Sequence, residues 1–177
     1  IGVGIAKLFA KEGAKVVICG RREAKGQAVV DSIVQEGGEA FYHFMDITKV
    51  ESIDALFKDT SEKYGKIDIL VNNAGYGYRS AIEEGTRQDI SKLFETNVWG
   101  PVALIKQVLP FMRAKHQGAI INVSSIAAIH ASMGSGYYAA SKSALESISE
   151  SLKKEVEPLG IKVMIVEPGA FRTNFTG

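Results

Sequence analysis

Short, β-branched apolar runs alternate along this chain with helix-length amphipathic stretches, and no other feature constrains its fold as much. Val16-Val17-Ile18-Cys19, Ile67-Asp68-Ile69-Leu70-Val71, Ala119-Ile120-Ile121-Asn122-Val123 and the run from Lys162 to Val166 have the length and composition of buried strands. A further strand is predicted over residues 39–44. Helical spacing covers residues 3–12, 23–36, 50–64, 86–115 and 136–157. Gly13, Gly37-Gly38 and Gly65 stop three of these patterns, and Gly100-Pro101 predicts a kink or break in the longest. Parallel strands need crossover helices, so the alternation predicts an α/β fold: a Rossmann-like, doubly wound parallel sheet with helices on both faces, in three layers. With 177 residues, 46% of them apolar, a single domain spanning residues 1–177 is expected.

The chain opens at Ile1 inside a helical pattern and ends at Thr176-Gly177, just after a strand-and-turn signal. It is therefore expected to be an internal piece of a longer protein. A first strand and glycine-rich turn would precede it, with Gly2 as the tail of that turn, and a last strand would follow it.

Several function classes find little support. The 21 basic and 20 acidic residues give a net charge of +1 with no basic stripe, so no nucleic-acid partner is expected. The apolar runs fall well short of a bilayer span, which argues against membrane insertion. One cysteine, Cys19, cannot form an internal disulfide and fits a reducing, cytoplasmic setting. His43, His116 and His130 lack metal-ligand spacing, so no metal site is expected, and no G-x-S-x-G elbow is present.

The stretch from Ser125 to Lys142 carries the strongest chemical signal. A serine closes an apolar run, a small-residue loop follows, and Tyr138 and Lys142 stand four residues apart. On a helix that spacing places phenol and ammonium on one face. A phenol titrates near pH 10; a cation beside it favours phenolate and makes the group usable in acid–base chemistry near neutrality. A serine hydroxyl nearby could hydrogen-bond a reacting oxygen. These groups together suit interconversion of a carbonyl and an alcohol.

In parallel α/β sheets ligands bind beyond the carboxyl ends of the strands, so the loops there are informative. After the first strand come Gly20-Arg21-Arg22, where an acid would read the ribose 2′-OH of NAD and an arginine would accommodate the 2′-phosphate of NADP. The absence of an acid before Glu23 favours NADP over NAD, with Arg21 first and Arg22 second as phosphate ligands; the bland reading is a solvated helix start. Asp46-Ile47 suits either an adenine contact or a helix N-cap. Asn72-Asn73-Ala74-Gly75 could tie neighbouring loops together and let a ligand lie against bare backbone, or be an ordinary turn. Asn97, mid-helix beside Trp99 and Gly100, could hold a water or bend its helix.

Taken together these residues resemble the short-chain dehydrogenase/reductase family in its ordinary short form, along essentially the whole chain. The resemblance rests on Asn72-Asn73-Ala74-Gly75, on Asn97 within Glu95-Thr96-Asn97-Val98, on Ser125 ahead of the Tyr138–Lys142 pair, and on Pro168-Gly169-Ala170-Phe171-Arg172-Thr173. It implies an NADP(H)-dependent oxidoreductase in which Tyr138 is the acid/base. Lys142 would tune that phenol and bind the nicotinamide ribose, Ser125 would hold the substrate oxygen, and Asn97 would position a water in a proton relay. Asn73, Ala74, Gly75, Pro168 and Gly169 would line the cofactor, Thr173 would bind the carboxamide, and the Phe171 backbone would lie near it. The resemblance further implies a small-molecule carbonyl or alcohol substrate and a homodimer or homotetramer built on helices 86–115 and 136–157. Tyr76, Tyr78 and Tyr137 suggest a substrate with an apolar body. The alternatives are a non-catalytic NADP-binding module and an epimerase or dehydratase of the family's longer branch.

Overall fold

A computed structural model describes residues 1–169. Phe171 and Thr173, assigned above to the cofactor, lie outside the described residues. The chain forms two compact units, Ile1–Gly65 and a second beginning at Lys66.

The first unit runs α1 (Gly2–Lys11), β1 (Lys15–Gly20), α2 (Glu23–Gln35), β2 (Glu39–Phe44) and α3 (Val50–Tyr64). β1 and β2 pair in parallel, Lys15 opposite Glu39 and Gly20 opposite Phe44. Parallel neighbours cannot be joined by a tight turn, and α2 supplies the crossover. Its inward stripe includes Val30 and Ile33; Ala10, Met45, Ile53, Leu56 and Phe57 are also buried in this unit. α3 ends where Gly65 takes φ +67°, a left-handed conformation that a side chain would disfavour.

The second unit contains β3 (Ile69–Asn72), α4 (Arg87–Phe94), α5 (Gly100–Lys115), β4 (Gly118–Val123), α6 (Gly136–Val156) and β5 (Ile161–Val166). Its three strands are parallel in the order β3-β4-β5. Central β4 buries Ile120, Asn122 and Val123, while Leu93, Val108, Met112, Leu145, Val156 and Ile161 come from the surrounding elements. Thr86 starts α4: its Oγ1 accepts from the Asp89 amide at 3.1 Å and donates to the Asp89 carboxylate at 2.7 Å. Gly160, at φ +75°, turns the chain into β5; a Cβ there would sit 2.2 Å from the His116 carbonyl oxygen.

The alternation of parallel strands and helices appears as expected. The kink or break expected at Gly100-Pro101 appears as a change of helix type, with α5 opening at Gly100. Pro101 has no N–H to donate back into the preceding turn, so a regular α-helical ladder cannot run through it. The interruption comes just before, as a π-helical turn over Glu95–Trp99. Strand β3 also starts at Ile69 rather than Ile67.

Candidate active site

The site grows from the carboxyl end of β4. The Ser124 amide extends the sheet ladder, donating to the Val166 carbonyl at 2.7 Å. Ser125 leaves the ladder in an extended conformation, and its Oγ accepts from the Ala127 amide at 3.2 Å, capping a 3₁₀ turn over Ile126–Ala128. Ser143 of α6 donates to the Ala128 carbonyl at 2.7 Å and ties that turn to the helix. α6 starts at Gly136, after a turn in which Ser135 Oγ donates to the Ser132 carbonyl at 2.7 Å. Tyr138 and Lys142 therefore occupy one face of α6, a turn apart, as the spacing predicted.

Lys142 is only 3% exposed. Its Nζ donates to the Val123 carbonyl at 2.9 Å. Burial pulls its pKa down from 10.5 to about 8, and the Glu146 carboxylate one turn further along opposes that fall. The group thus remains an ammonium at neutral pH but is poised to lose its proton just above it.

Asn97 is wholly buried within the π turn. Its Nδ2 donates to the Tyr76 carbonyl and to Ser141 Oγ, each at 3.1 Å, and its Oδ1 accepts from the Tyr76 amide at 3.1 Å. The wider turn lets a helical asparagine reach the loop after β3 and α6 at once, as π turns at functional sites often do. Gly75 sits where these groups converge: a Cβ there would lie 3.2 Å from Asn97 Oδ1 and 3.3 Å from Lys142 Nζ. A flat backbone face beside a buried ammonium is a place where a polar ligand can approach closely.

Asn72 works differently from the expectation that the paired asparagines tie loops together. Its Nδ2 donates to Asn122 Oδ1 at 2.8 Å, Asn122 Nδ2 donates to Ser149 Oγ at 2.7 Å, and Ser149 Oγ donates to the Leu145 carbonyl at 2.6 Å. This buried chain joins β3, β4 and α6 inside the unit, and the loop is held by Asn97 instead. The Asn73 amide donates to the Val71 carbonyl at 3.1 Å, while Ala74 is exposed.

Tyr137 packs against the loop after β3, its hydroxyl donating to the Ile82 carbonyl at 2.6 Å and its ring centroid 6.2 Å from that of Tyr78. The Ser80 amide donates to the Gly134 carbonyl at 2.9 Å. Pro168 and Gly169 follow β5 after one intervening residue, Glu167.

In the first unit Arg21 and Arg22 are both exposed after β1, and Arg22 occupies the position before α2 with no side-chain cap. Asp46 follows β2; its Oδ1 accepts from the Thr48 amide at 3.0 Å and from the Thr48 hydroxyl at 2.8 Å. These bonds, with lesser help from the charges of Arg21 and Lys49, hold its carboxyl below the usual value. The position before α3 belongs to Lys49, so Asp46 shapes the turn ahead of the helix rather than capping it. Ile47 is half-buried, and Gly2 is the first residue of α1. Among the described residues no cluster of His, Cys, Asp or Glu could hold a metal, and no helix is long and apolar enough to cross a membrane.

Sequence reasoning missed Ser141, Glu146, Asn122 and Ser149. Glu146 had a signal, since it continues the i,i+4 series Tyr138–Lys142 by one turn. The others are recognised only by their partners in space.

Comparison with known proteins gives consistent results. The family model described as short chain dehydrogenase matches residues 1–177. An uncharacterized oxidoreductase of Staphylococcus saprophyticus is 37% identical over 179 residues, covering 100% of this chain and 76% of that protein. A short-chain dehydrogenase from Streptomyces avermitilis superposes with a TM-score of 0.90 at 41% identity, covering 99% of this chain and 64% of that one. A metagenomic short-chain oxidoreductase solved in complex with NADP gives a TM-score of 0.91 at 32% identity, over 97% of this chain and 77% of the other. The fold is thus the Rossmann-like α/β arrangement.

Proposed function

This chain belongs to the short-chain dehydrogenase family of NAD(P)-dependent oxidoreductases, and on that premise we propose that it interconverts a carbonyl and an alcohol with NADP(H). One observation carries the reading: α6 sets Tyr138 one turn from a buried Lys142 whose ammonium lies beside Gly75 and Asn97. The bare Gly75 face is compatible with a cofactor there, because any side chain would fill the space.

A bound nicotinamide supplies hydride chemistry at a carbon; the protein supplies the proton and the positioning. In the reducing direction Tyr138 would donate its hydroxyl proton to the developing alkoxide, and Ser125 would hydrogen-bond the same oxygen. Lys142 would keep phenolate accessible by its charge and hydrogen-bond the ribose. Asn97 would hold a water through which the site regains its proton. Asn73, Ala74, Gly75, Pro168, Gly169, Phe171 and Thr173 would contact the nicotinamide half of the cofactor, Asp46 and Ile47 the adenine, and Gly2 the phosphates. Arg21, supported by Arg22, would take the 2′-phosphate. The fit of NADP is supported by the relative solved with NADP bound and by the absence of an acid after β1. The active protein would be a homodimer or homotetramer, which light scattering on the purified protein tests.

The decisive experiment is Tyr138→Phe, assayed with NADPH against a panel of ketones and aldehydes. Turnover falls by about 10²–10⁴-fold, the typical contribution of a positioned proton donor, while the Kd for NADPH is nearly unchanged. Wild-type turnover in Tyr138→Phe would refute the assignment.

A further inference from the structure

We propose that Glu146 is a positioning residue of this site, clamping the end of β4 through Ser124 while setting a negative charge one helical turn from Lys142. Two consecutive residues of the strand end are gripped by two side chains one turn apart on α6. Lys142 Nζ holds the Val123 carbonyl at 2.9 Å, and the Glu146 carboxylate accepts a hydrogen bond from the Ser124 hydroxyl. Ser124 is 4% exposed, so this bond is shielded from water, and a charged acceptor strengthens it further. The next residue is Ser125. Whatever fixes Ser124 therefore fixes where the Ser125 hydroxyl is presented relative to the helix that carries Tyr138.

The second consequence is electrostatic. Around the Lys142 ammonium are Gly75 from the loop after β3, Asn97 from the π turn, the Val123 carbonyl from β4 and Glu146 on its own helix, with Tyr138 one turn earlier on the same helix. Asn97, Gly75 and Val123 carry no net charge, and Glu146 is the anion of the set. Burial drives the ammonium toward losing its proton, and Glu146 is the charge that opposes it. The same carboxylate is thus used twice, once as a hydrogen-bond acceptor and once as a counter-charge. Lys142, Glu146 and Ser149 share one side of α6, and Ser149 belongs to the buried Asn72–Asn122–Ser149 chain.

The inference rests on the role proposed for Lys142, and its test is built so that the two can fail separately. Glu146→Gln keeps an acceptor for Ser124 and removes the charge; Ser124→Ala keeps the charge and removes the bond. The titration of Lys142 is read directly from ¹³Cε-labelled lysine by NMR on the whole protein, with no substrate needed. Glu146→Gln is expected to lower the Lys142 midpoint by about one pH unit and to move the alkaline limb of kcat/KM down with it. Ser124→Ala is expected to leave that midpoint in place while lowering kcat at least about threefold, and Glu146→Asp to restore part of the midpoint. An unshifted Lys142 midpoint in Glu146→Gln, or wild-type kcat in Ser124→Ala, would overturn the proposal. A midpoint that shifts without any change in the pH profile upholds the counter-charge and instead rejects the catalytic role of Lys142.

Discussion

The Lys142 ammonium donates to the Val123 carbonyl at 2.9 Å, joining the first turns of α6 to the last peptide of β4 before Ser124. One lysine thereby does two things that pull against each other. It satisfies a carbonyl left over where the ladder ends, and it carries a charge into a place nearly closed to water. Charges are kept in such places chiefly where something must use them.

That tension has a measurable consequence for stability. The Lys142 pKa is lowered to about 8 in the folded chain, against 10.5 for an unperturbed lysine. Between those values the unfolded chain holds more protons than the folded one, so this group's contribution to stability rises with pH from about 8 to about 10.5 and is unfavourable below. Lys142→Met removes the buried charge at similar volume. It should stabilise the protein at pH 7 by on the order of 1–3 kcal/mol, after the lost Val123 bond is counted, and flatten the rise above pH 8. Turnover should fall by about two orders of magnitude or more in the same variant. Urea titrations at pH 7 and pH 9.5 alongside the carbonyl assay check this.

Gly75 offers a steric test of the converging site. The atoms a new Cβ would meet at 3.2 and 3.3 Å belong to Asn97, held by hydrogen bonds to Tyr76 and Ser141, and to Lys142, held by Val123. Neither can give way cheaply. Gly75→Ala should destabilise the protein by about 1–2 kcal/mol and weaken NADPH binding by roughly tenfold or more, the loss that goes with some 1.4 kcal/mol. Isothermal titration with NADPH, next to a denaturant melt, separates the two effects.

Cofactor choice is tested at the end of β1. A guanidinium on a phosphate is a charge-assisted bond, and losing one typically removes about 1.5–3 kcal/mol. Arg21→Ala should therefore lower the ratio of kcat/KM for NADPH over NADH by roughly 10- to 100-fold, with NADH kinetics little altered. An unchanged ratio would assign Arg21 to the solvated start of α2 instead.

Much of this protein was legible without coordinates, because the signals concerned are local. Strand-length runs, glycine stops and the four-residue step from Tyr138 to Lys142 depend on neighbours within one or two turns, and the elements appear in the predicted order, with β3 starting two residues later than expected, at Ile69. The family is legible for the same reason, since its motifs lie at fixed spacings along the chain. Tertiary structure decided what depends on partners far apart in sequence. Asn97 looks like an ordinary mid-helix asparagine until Tyr76 and Ser141, 21 and 44 residues away, are seen to engage its amide within a π turn. Asn122 resembles an interruption of an apolar strand until Asn72 and Ser149 bracket it. Lys142 is a helical lysine by sequence; its low pKa exists only because packing excludes water from it, a fall that the Glu146 counter-charge partly offsets. Periodicity places a side chain on a face, but solvent exclusion and long-range hydrogen bonds determine what that side chain can do there.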